Sequence, residues 1–237
     1  MKIDLTPEEI KEYNNQIVAY NRAHRFDSEA KGNVPFNEDN YIMMDCISLL
    51  TNDAKRHERT VTSDLKDLLP EGCHFEGFDN RLKTSERIRE KLMEDAVKKY
   101  NNDFVVATYH LYDSLRYTII MPFENHFDYV DMFLNDLLDM DYKIYRVKNR
   151  WTDDFCKGVQ VIAIDPSGYK FEIQIHTQEN YDIKEIYSRE PYKLSRDPNA
   201  PAMLKEKANA LRSYYHRLAH LPEGAETYEF KPKESHI

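Results

Sequence analysis

Asp113 stands at the mouth of an apolar run, in Tyr112-Asp113-Ser114-Leu115-Arg116-Tyr117-Thr118-Ile119-Ile120. Glu172 stands inside Phe171-Glu172-Ile173-Gln174-Ile175-His176-Thr177, where apolar and polar residues alternate. That alternation sends Phe171, Ile173 and Ile175 to one strand face and Glu172, Gln174 and His176 to the other. A carboxylate, an amide and an imidazole in a row on one face need partners or a purpose. A hard cation such as Mg²⁺ takes carboxylate oxygen and brings substrate phosphates with it. One carboxylate rarely suffices, so this chemistry requires Asp113 and Glu172 to meet in the fold. Glu172 is also a candidate general base for an attacking hydroxyl. The plain alternatives are a cap at the start of a strand for Asp113 and a wet edge strand for Glu172.

A third stretch supplies cations. Arg81, Lys83, Arg87, Arg89 and Lys91 fall within eleven residues, and Lys83, Arg87 and Lys91 are four apart. On a helix that spacing stacks them on one face. Ile88, Leu92 and Ala96 form an adjacent apolar stripe able to pin the helix to a core. A fixed row of ammonium and guanidinium groups suits a triphosphate, although such a face is commonly only solvated.

The elements that must position these residues read as follows. Thr6-Pro7-Glu8-Glu9 is an N-cap with Pro at the first helical position, and a helix runs to about Ala23. Helices are expected over Tyr41 to Leu50 and Ser63 to Leu69, the latter closed by Pro70-Glu71-Gly72, and from Thr84 or Ser85 to about Tyr100. Strands are expected at Leu115 to Met121, Tyr142 to Val147, Gly158 to Ile164 and Tyr169 to His176. Asp165-Pro166-Ser167-Gly168 reads as a hairpin turn. Further helices fit Glu124 to Met140, Asn180 to Arg189 and, after Pro198 and Pro201, Ala202 to about Ala219. The tail after Pro222 reads as loose. Helices, then a small interleaved sheet, then helices again make an α+β plan.

Composition bounds the partners. With 237 residues the chain can bury a real core. Its formal charge of −9 gives no global pull toward nucleic acid or anionic lipid, so a polyphosphate or RNA must meet a local basic patch. Lys55, Arg56, His57 and Arg59 form one such candidate, and Arg212, Tyr214, Tyr215, His216 and Arg217 another. Cys46, Cys73 and Cys156 read as free thiols of a reducing compartment. No apolar run reaches the roughly 20 residues of a membrane span, so no membrane partner is expected. The start, MKIDLTPEEI, carries acid where a signal peptide carries an apolar stretch.

Taken together, the three stretches resemble the synthetase domain of the RelA/SpoT family, and most the short, toxin-like branch. Arg81, Lys83 and Lys91 stand in register with that family's RxKxxxSxxxK phosphate motif, with Arg87 at the serine position and Ser85 two residues early. DSLRYTI is similar to the metal-binding acid and strand arginine, and FEIQIHT to the EIQIRT strand, with His176 where the long enzymes carry Arg. Tyr192-Lys193 matches the YK that closes the motif. The resemblance spans about residues 78 to 195. Where the alarmone synthetases carry a Gly-Tyr whose ring stacks on guanine, this chain has Gly158-Val159, and Trp151, Tyr145 or Phe155 are left to supply a ring.

The resemblance implies a nucleotidyltransferase-like mixed sheet flanked by helices. It implies a helical extension over 1–75, a synthetase core over 76–195 and a C-terminal helix with tail over 196–237. It implies transfer of the β,γ-pyrophosphoryl group of ATP to a ribose 3′-hydroxyl, of a purine nucleotide or of the tRNA 3′-terminal adenosine. Arg81, Lys83, Arg87, Arg89 and Lys91 would bind the ATP phosphates, and Asp113 and Glu172 would hold Mg²⁺ and serve catalysis. Arg116, Lys157, Gln174 and His176 would meet the acceptor. A protein antitoxin or regulator is an expected partner, and the expected location is a cytoplasm, the cell's own or that of another cell. The alternative is a catalytically inactive module that senses a nucleotide or binds a partner on the same fold.

Overall fold

The structure is a computed structural model and describes residues 5–24 and 38–233. It begins with α1 (Pro7–Ala23), opened by a capping box in which Thr6 and Glu9 exchange hydrogen bonds. Next come α2 (Glu38–Asp67), the short β1 (His74–Phe75), a 3₁₀ turn at Phe78–Asn80, α3 (Ser85–Lys99) and α4 (Phe104–Tyr109). The sheet region holds β2 (Arg116–Ile120), α5 (His126–Asp139), β3 (Lys143–Asn149), β4 (Val159–Ile164) and β5 (Lys170–His176). Last are α6 (Gln178–Asp182), a π turn at Ile183–Tyr187, α7 (Arg189–Arg196) and α8 (Ala202–Leu218). The class is α+β, as expected. No helix among the described residues is long and apolar enough to cross a membrane.

The five strands lie in the order β1-β2-β5-β4-β3, with β2 and β5 parallel and the other pairs antiparallel. β5 is therefore central, and the wet-edge alternative for Glu172 falls away. The β4–β5 hairpin turns where expected: the Asp165 carboxylate accepts from Ser167 and Tyr169 N–H groups, and Gly168 N–H donates to the Asp165 carbonyl.

The two sheet faces differ in chemistry, and strand alternation is the reason. Tyr117, Ile119, Val159, Val161, Ala163, Phe171, Ile173 and Ile175 are buried on one face against Val130, Phe133, Leu134 and Leu137 of α5 and Ala54, Val61 and Leu65 of α2. The other face is polar. One row across it reads Arg116, Glu172, Ile162, Arg146, and the next reads Thr118, Gln174, Gln160, Lys148.

α2 is one helix where two were expected, at Tyr41 to Leu50 and Ser63 to Leu69. Its first half packs Met43, Cys46, Ile47 and Leu50 against Ile88, Leu92 and Ala96 of α3, and its second half enters the sheet core. Between them the apolar rhythm lapses because the helix makes polar clamps. Glu58 holds Arg81, Thr62 meets the Tyr117 hydroxyl, and His57 bonds the Asp165 carboxylate at 2.7 Å while stacking on Tyr169. His57 is thus engaged within the fold, while Lys55, Arg56 and Arg59 of the same candidate patch are exposed. The second basic-aromatic candidate is more internal: Tyr215 and His216 are buried, and Arg212 lies over the Phe155 and Tyr192 rings.

α1 packs with α7 and α8 through Ile17, Leu194, Ala208 and Leu211. The helix expected over Asn180 to Arg189 is instead α6, the π turn and the start of α7. The tail after Pro222 is docked and not loose. Asn149 donates to the Ala225 and Tyr228 carbonyls, the Tyr228 ring stacks on Phe127 at 4.2 Å, and its hydroxyl donates to Asp131. Residues 234–237 of that tail lie outside the described residues.

Gly158 is needed where the chain turns into β4. It sits at φ +125°, and a Cβ there would lie 2.5 Å from the Ile175 carbonyl oxygen and 2.6 Å from His176 Nδ1.

Three buried histidines set a pH limit on this fold. Burial lowers His126 and His216 from about 6.5 to about 4 and pushes His176 well below its usual range. Between those values the unfolded chain binds more protons than the native one, so stability rises with pH across that window. The urea midpoint is expected to fall as pH drops from 6.5 toward 4, and His126→Gln or His216→Gln to shallow that slope. An unchanged slope in both variants would show that these groups do not set it.

Candidate active site

Ser114, Leu115 and the loop before α3 fix the site's floor. Lys83 N–H donates to the Ser114 carbonyl, and Arg116 N–H to the Arg81 carbonyl, so the chain ahead of α3 is tied to the start of β2. Thr84 caps α3 by accepting from Arg87 N–H. From there α3 runs with Ile88, Leu92 and Ala96 buried against α2, and this orientation turns Lys91, Asp95 and Lys99 toward the polar sheet face.

Asp113 is 7% exposed and receives two ammonium groups on one oxygen: Lys83 Nζ at 2.5 Å and Lys91 Nζ at 2.9 Å from Oδ2. Its other oxygen, Oδ1, is buried with no hydrogen-bond partner among the described residues. Burial alone would raise this carboxyl, but the two lysines outweigh it and hold it at about 2. Burial lowers Lys83 despite Asp113, whereas for Lys91 burial is outweighed by Asp113 and the ammonium is raised.

A cleft of about 270 Å³ opens beside this cluster, lined by Lys91, Asp95, Lys99, Asp113, Glu172, Gln160, Ile162 and Arg146, with Tyr100, His110, Tyr112 and Tyr145 at its aromatic end. Asp113 and Glu172, 59 positions apart in sequence, thus share one cavity wall with Lys91. Glu172 is 4% exposed and accepts from Gln174 Nε2 through Oε1. Gln174 Oε1 in turn accepts from Lys184 Nζ at 3.0 Å. Arg116 lies opposite Glu172 in the β2–β5 register.

The remaining residues of the sequence-based site are distributed unevenly. Arg81 is turned away from the cleft: its Nε donates to Glu58 at 2.6 Å, and its guanidinium lies over the Phe78 ring. Arg87 is exposed and Arg89 half-buried on α3, and neither forms an ion pair with a described carboxylate. Lys157 is not among the cleft-lining residues, and its buried ammonium donates to the Trp151 carbonyl at 2.7 Å. His176 is sealed too. It is 2% exposed, and its Nδ1 accepts from Asn180, which also clamps the Lys157 carbonyl. Gln174 sits on the right face, but both ends of its amide are engaged within the chain.

Several residues of this site were not singled out from the sequence. Arg146 and Gln160 follow from strand alternation once β3 and β4 are known. Asp95 and Lys99 follow from the four-residue spacing that continues past Lys91. Lys184 carries no local signal, because it reaches Gln174 only through the turn after α6. Of the rings left to stack on a base, Trp151 is fully buried and Phe155 lies under Arg212, while Tyr145 is half exposed at a β3 irregularity on the cleft wall. Lys170 Nζ lies over both Tyr145 and Tyr112, at 4.2 and 5.1 Å from their centroids.

Among the described residues no cluster of three or more His, Cys, Asp or Glu side chains forms a metal cage. That excludes nothing for Mg²⁺, which is bound by one or two carboxylates together with substrate phosphates. The unpartnered Asp113 Oδ1, beside a cleft shared with Glu172, fits that donor set.

No known protein family matches the chain, and no curated protein does. Among solved structures it is similar to the type VI effector Tas1 in complex with its immunity protein, at 17% identity, with 73% of this chain and 97% of that chain covered and a TM-score of 0.45. It is similar to smu.1046c from Streptococcus mutans UA159 at 20% identity, covering 74% of this chain and 89% of that one, TM-score 0.41. A GTP pyrophosphokinase family protein from Streptococcus pneumoniae matches at 17% identity over 70% of this chain and 84% of that one, TM-score 0.40. Likeness at this level carries no transfer of residue roles.

The Asp113 cluster yields a stability test. Asp113→Asn leaves Lys83 buried without its counter-charge, and a loss of about 3 kcal/mol is expected, read as a lower urea midpoint. Added tripolyphosphate should restore much of it by supplying anionic oxygen to the two ammonium groups. A variant as stable as the parent would show that the lysines do not depend on this carboxylate.

Proposed function

We propose that the protein transfers the β,γ-pyrophosphoryl group of ATP to the 3′-hydroxyl of a ribose, carried by a purine nucleotide or by the 3′-terminal adenosine of tRNA. The observation that carries this reading is the shared cleft: two buried carboxylates, one with an unpartnered oxygen, beside Lys91 on a cationic wall. Lys91, Lys99 and Arg146 line the cleft against Asp95, Asp113 and Glu172, and with Lys83 on Asp113, Arg116 opposite Glu172 and Lys184 on Gln174 the cations outnumber the carboxylates, in a chain whose formal charge is −9. Such local excess suits a polyphosphate.

Each lysine ammonium has three N–H donors. Lys83 and Lys91 use one apiece on Asp113, which leaves donors for phosphate oxygens. Arg87 and Arg89 extend the cationic surface along α3, and Arg81 braces the strand start through Glu58. Asp113 and Glu172 are the residues that would hold Mg²⁺, which supplies charge neutralisation and alignment of the phosphate oxygens when bound. Glu172 accepts the proton of the 3′-hydroxyl as its oxygen bonds to the β-phosphorus. The bond from that phosphorus to the α,β-bridging oxygen breaks, and AMP leaves. Positioning and charge neutralisation carry most of the rate. Tyr145 offers the acceptor base a ring, and Arg116 lies beside Glu172 on the acceptor side. The same reading includes a neutralising protein partner or regulator and action in a cytoplasm.

Purified protein with ATP, Mg²⁺ and a panel of GDP, GTP, adenine nucleotides and deacylated tRNA tests the reaction, with products read by mass. One acceptor should gain two phosphoryl groups with equimolar AMP. Asp113→Asn and Glu172→Gln should each lower the rate at least about a thousandfold. Activity retained in both variants would end this mechanism, and tight ATP binding without AMP release would instead mark a sensing module. Tyr145→Ala should raise the acceptor KM at least about fivefold while leaving the KM for ATP unchanged. Equal effects on both would remove Tyr145 from the acceptor side.

A further inference from the structure

Lys184 lies on the π turn Ile183–Tyr187, where Ser188 N–H reaches back to the Ile183 carbonyl at 3.0 Å. Wide turns of this kind recur at functional sites because they shift the aim of a side chain. Here the ammonium, only a quarter exposed, is carried toward the polar sheet face and donates to Gln174 Oε1 at 3.0 Å. Its nearest carboxylate contact, Glu185 Oε1, is 3.8 Å away, and the Tyr181 ring centroid lies at 5.7 Å. The tightest polar contact of this sheltered cation is therefore a neutral amide.

An ammonium only donates, and an ionised carboxylate only accepts, whereas an amide does one at each end. With Lys184 on one side and Glu172 on the other, Gln174 has a single satisfactory orientation. Its oxygen must face Lys184 and its NH₂ must face Glu172 Oε1. A flipped amide would set N–H against ammonium and oxygen against carboxylate, two repulsive contacts in a sheltered place. Glu172 Oε1 is thereby occupied, which leaves Oε2 as the oxygen free to serve the cleft.

We infer that Lys184 is a positioning residue that acts through Gln174 to fix which oxygen Glu172 presents to the reacting groups. This rests on the proposed role of Glu172, but the side-chain arrangement can be tested without any reaction. Lys184 touches neither carboxylate of the site directly. Beyond the through-space attraction between its charge and that of Glu172, its hydrogen-bonded influence passes through one amide, as supporting groups around a reactive centre commonly act.

Two measurements decide it. In the ¹⁵N spectrum, Gln174 side-chain N–H signals, identified by their loss in Gln174→Leu, should lie apart and exchange slowly in the parent. They should move toward free-glutamine positions in Lys184→Met and stay apart in Lys184→Arg, which keeps a donor. In the transfer assay Lys184→Met should lower kcat about tenfold or more with little change in the KM for ATP. Lys184→Arg should recover most of that loss. In a Gln174→Leu background the Lys184→Met change should cost almost nothing further. Unmoved Gln174 signals in Lys184→Met would overturn the inference. So would a full tenfold loss in the Gln174→Leu background, or Lys184→Arg as impaired as Lys184→Met. If the parent transfers nothing to any acceptor, the proposed function fails, while the Gln174 signals still decide the role of Lys184.

Discussion

Taking the Asp113 carboxylate out of water costs several kcal/mol, and two ammonium groups from opposite sides of the α3 N-terminus offset it. Lys83 comes from the segment tied to β2, and Lys91 from the second turn of α3. Their shared attachment to one oxygen sets how α3 crosses the polar face of the sheet. That placement opens the cleft. Both lysines bond the same oxygen, which leaves the other Asp113 oxygen without a hydrogen-bond partner among the described residues, and together they carry one more positive charge than the carboxylate carries negative.

The sheet supports this by dividing its labour between faces. One face is packed by α5 and the second half of α2 into a core of fully buried aliphatic and aromatic side chains. The other carries Arg116, Glu172, Gln174, Gln160 and Arg146 in neighbouring rows, and α3 and the turn after α6 bring Lys91 and Lys184 to them. Because β2 and β5 run side by side and parallel, Arg116 and Glu172 meet although one lies three residues after Asp113 and the other comes after two further strands.

The pairing of Asp113 with Glu172 in a single cleft was foreseeable from the sequence to the extent that period-two alternation assigns Glu172 a face and a hard cation demands two carboxylates. The stripe of Ile88, Leu92 and Ala96 likewise indicated which side of α3 faces the interior. What stayed hidden has physical causes. The fused α2 was hidden because its middle turns satisfy polar partners on other elements, so no apolar rhythm marks them. Arg81 and Lys157 carry the residue type of a phosphate ligand, but Glu58 and the Trp151 carbonyl claim them through contacts that no local pattern encodes. His176 shares the strand face of Glu172 yet lies where Gly158 lets the backbone close over it. Short elements such as β1 and α4 hold too few residues to show a period, and the docked tail is held by single side chains such as Tyr228.

A crystal structure with Mg²⁺ and a non-cleavable ATP analogue addresses the central claim most directly. The account predicts one metal at roughly 2.0–2.1 Å from an oxygen of both Asp113 and Glu172, with phosphate oxygens on Lys83 and Lys91. Nucleotide bound elsewhere, or a metal that engages neither carboxylate, would contradict it.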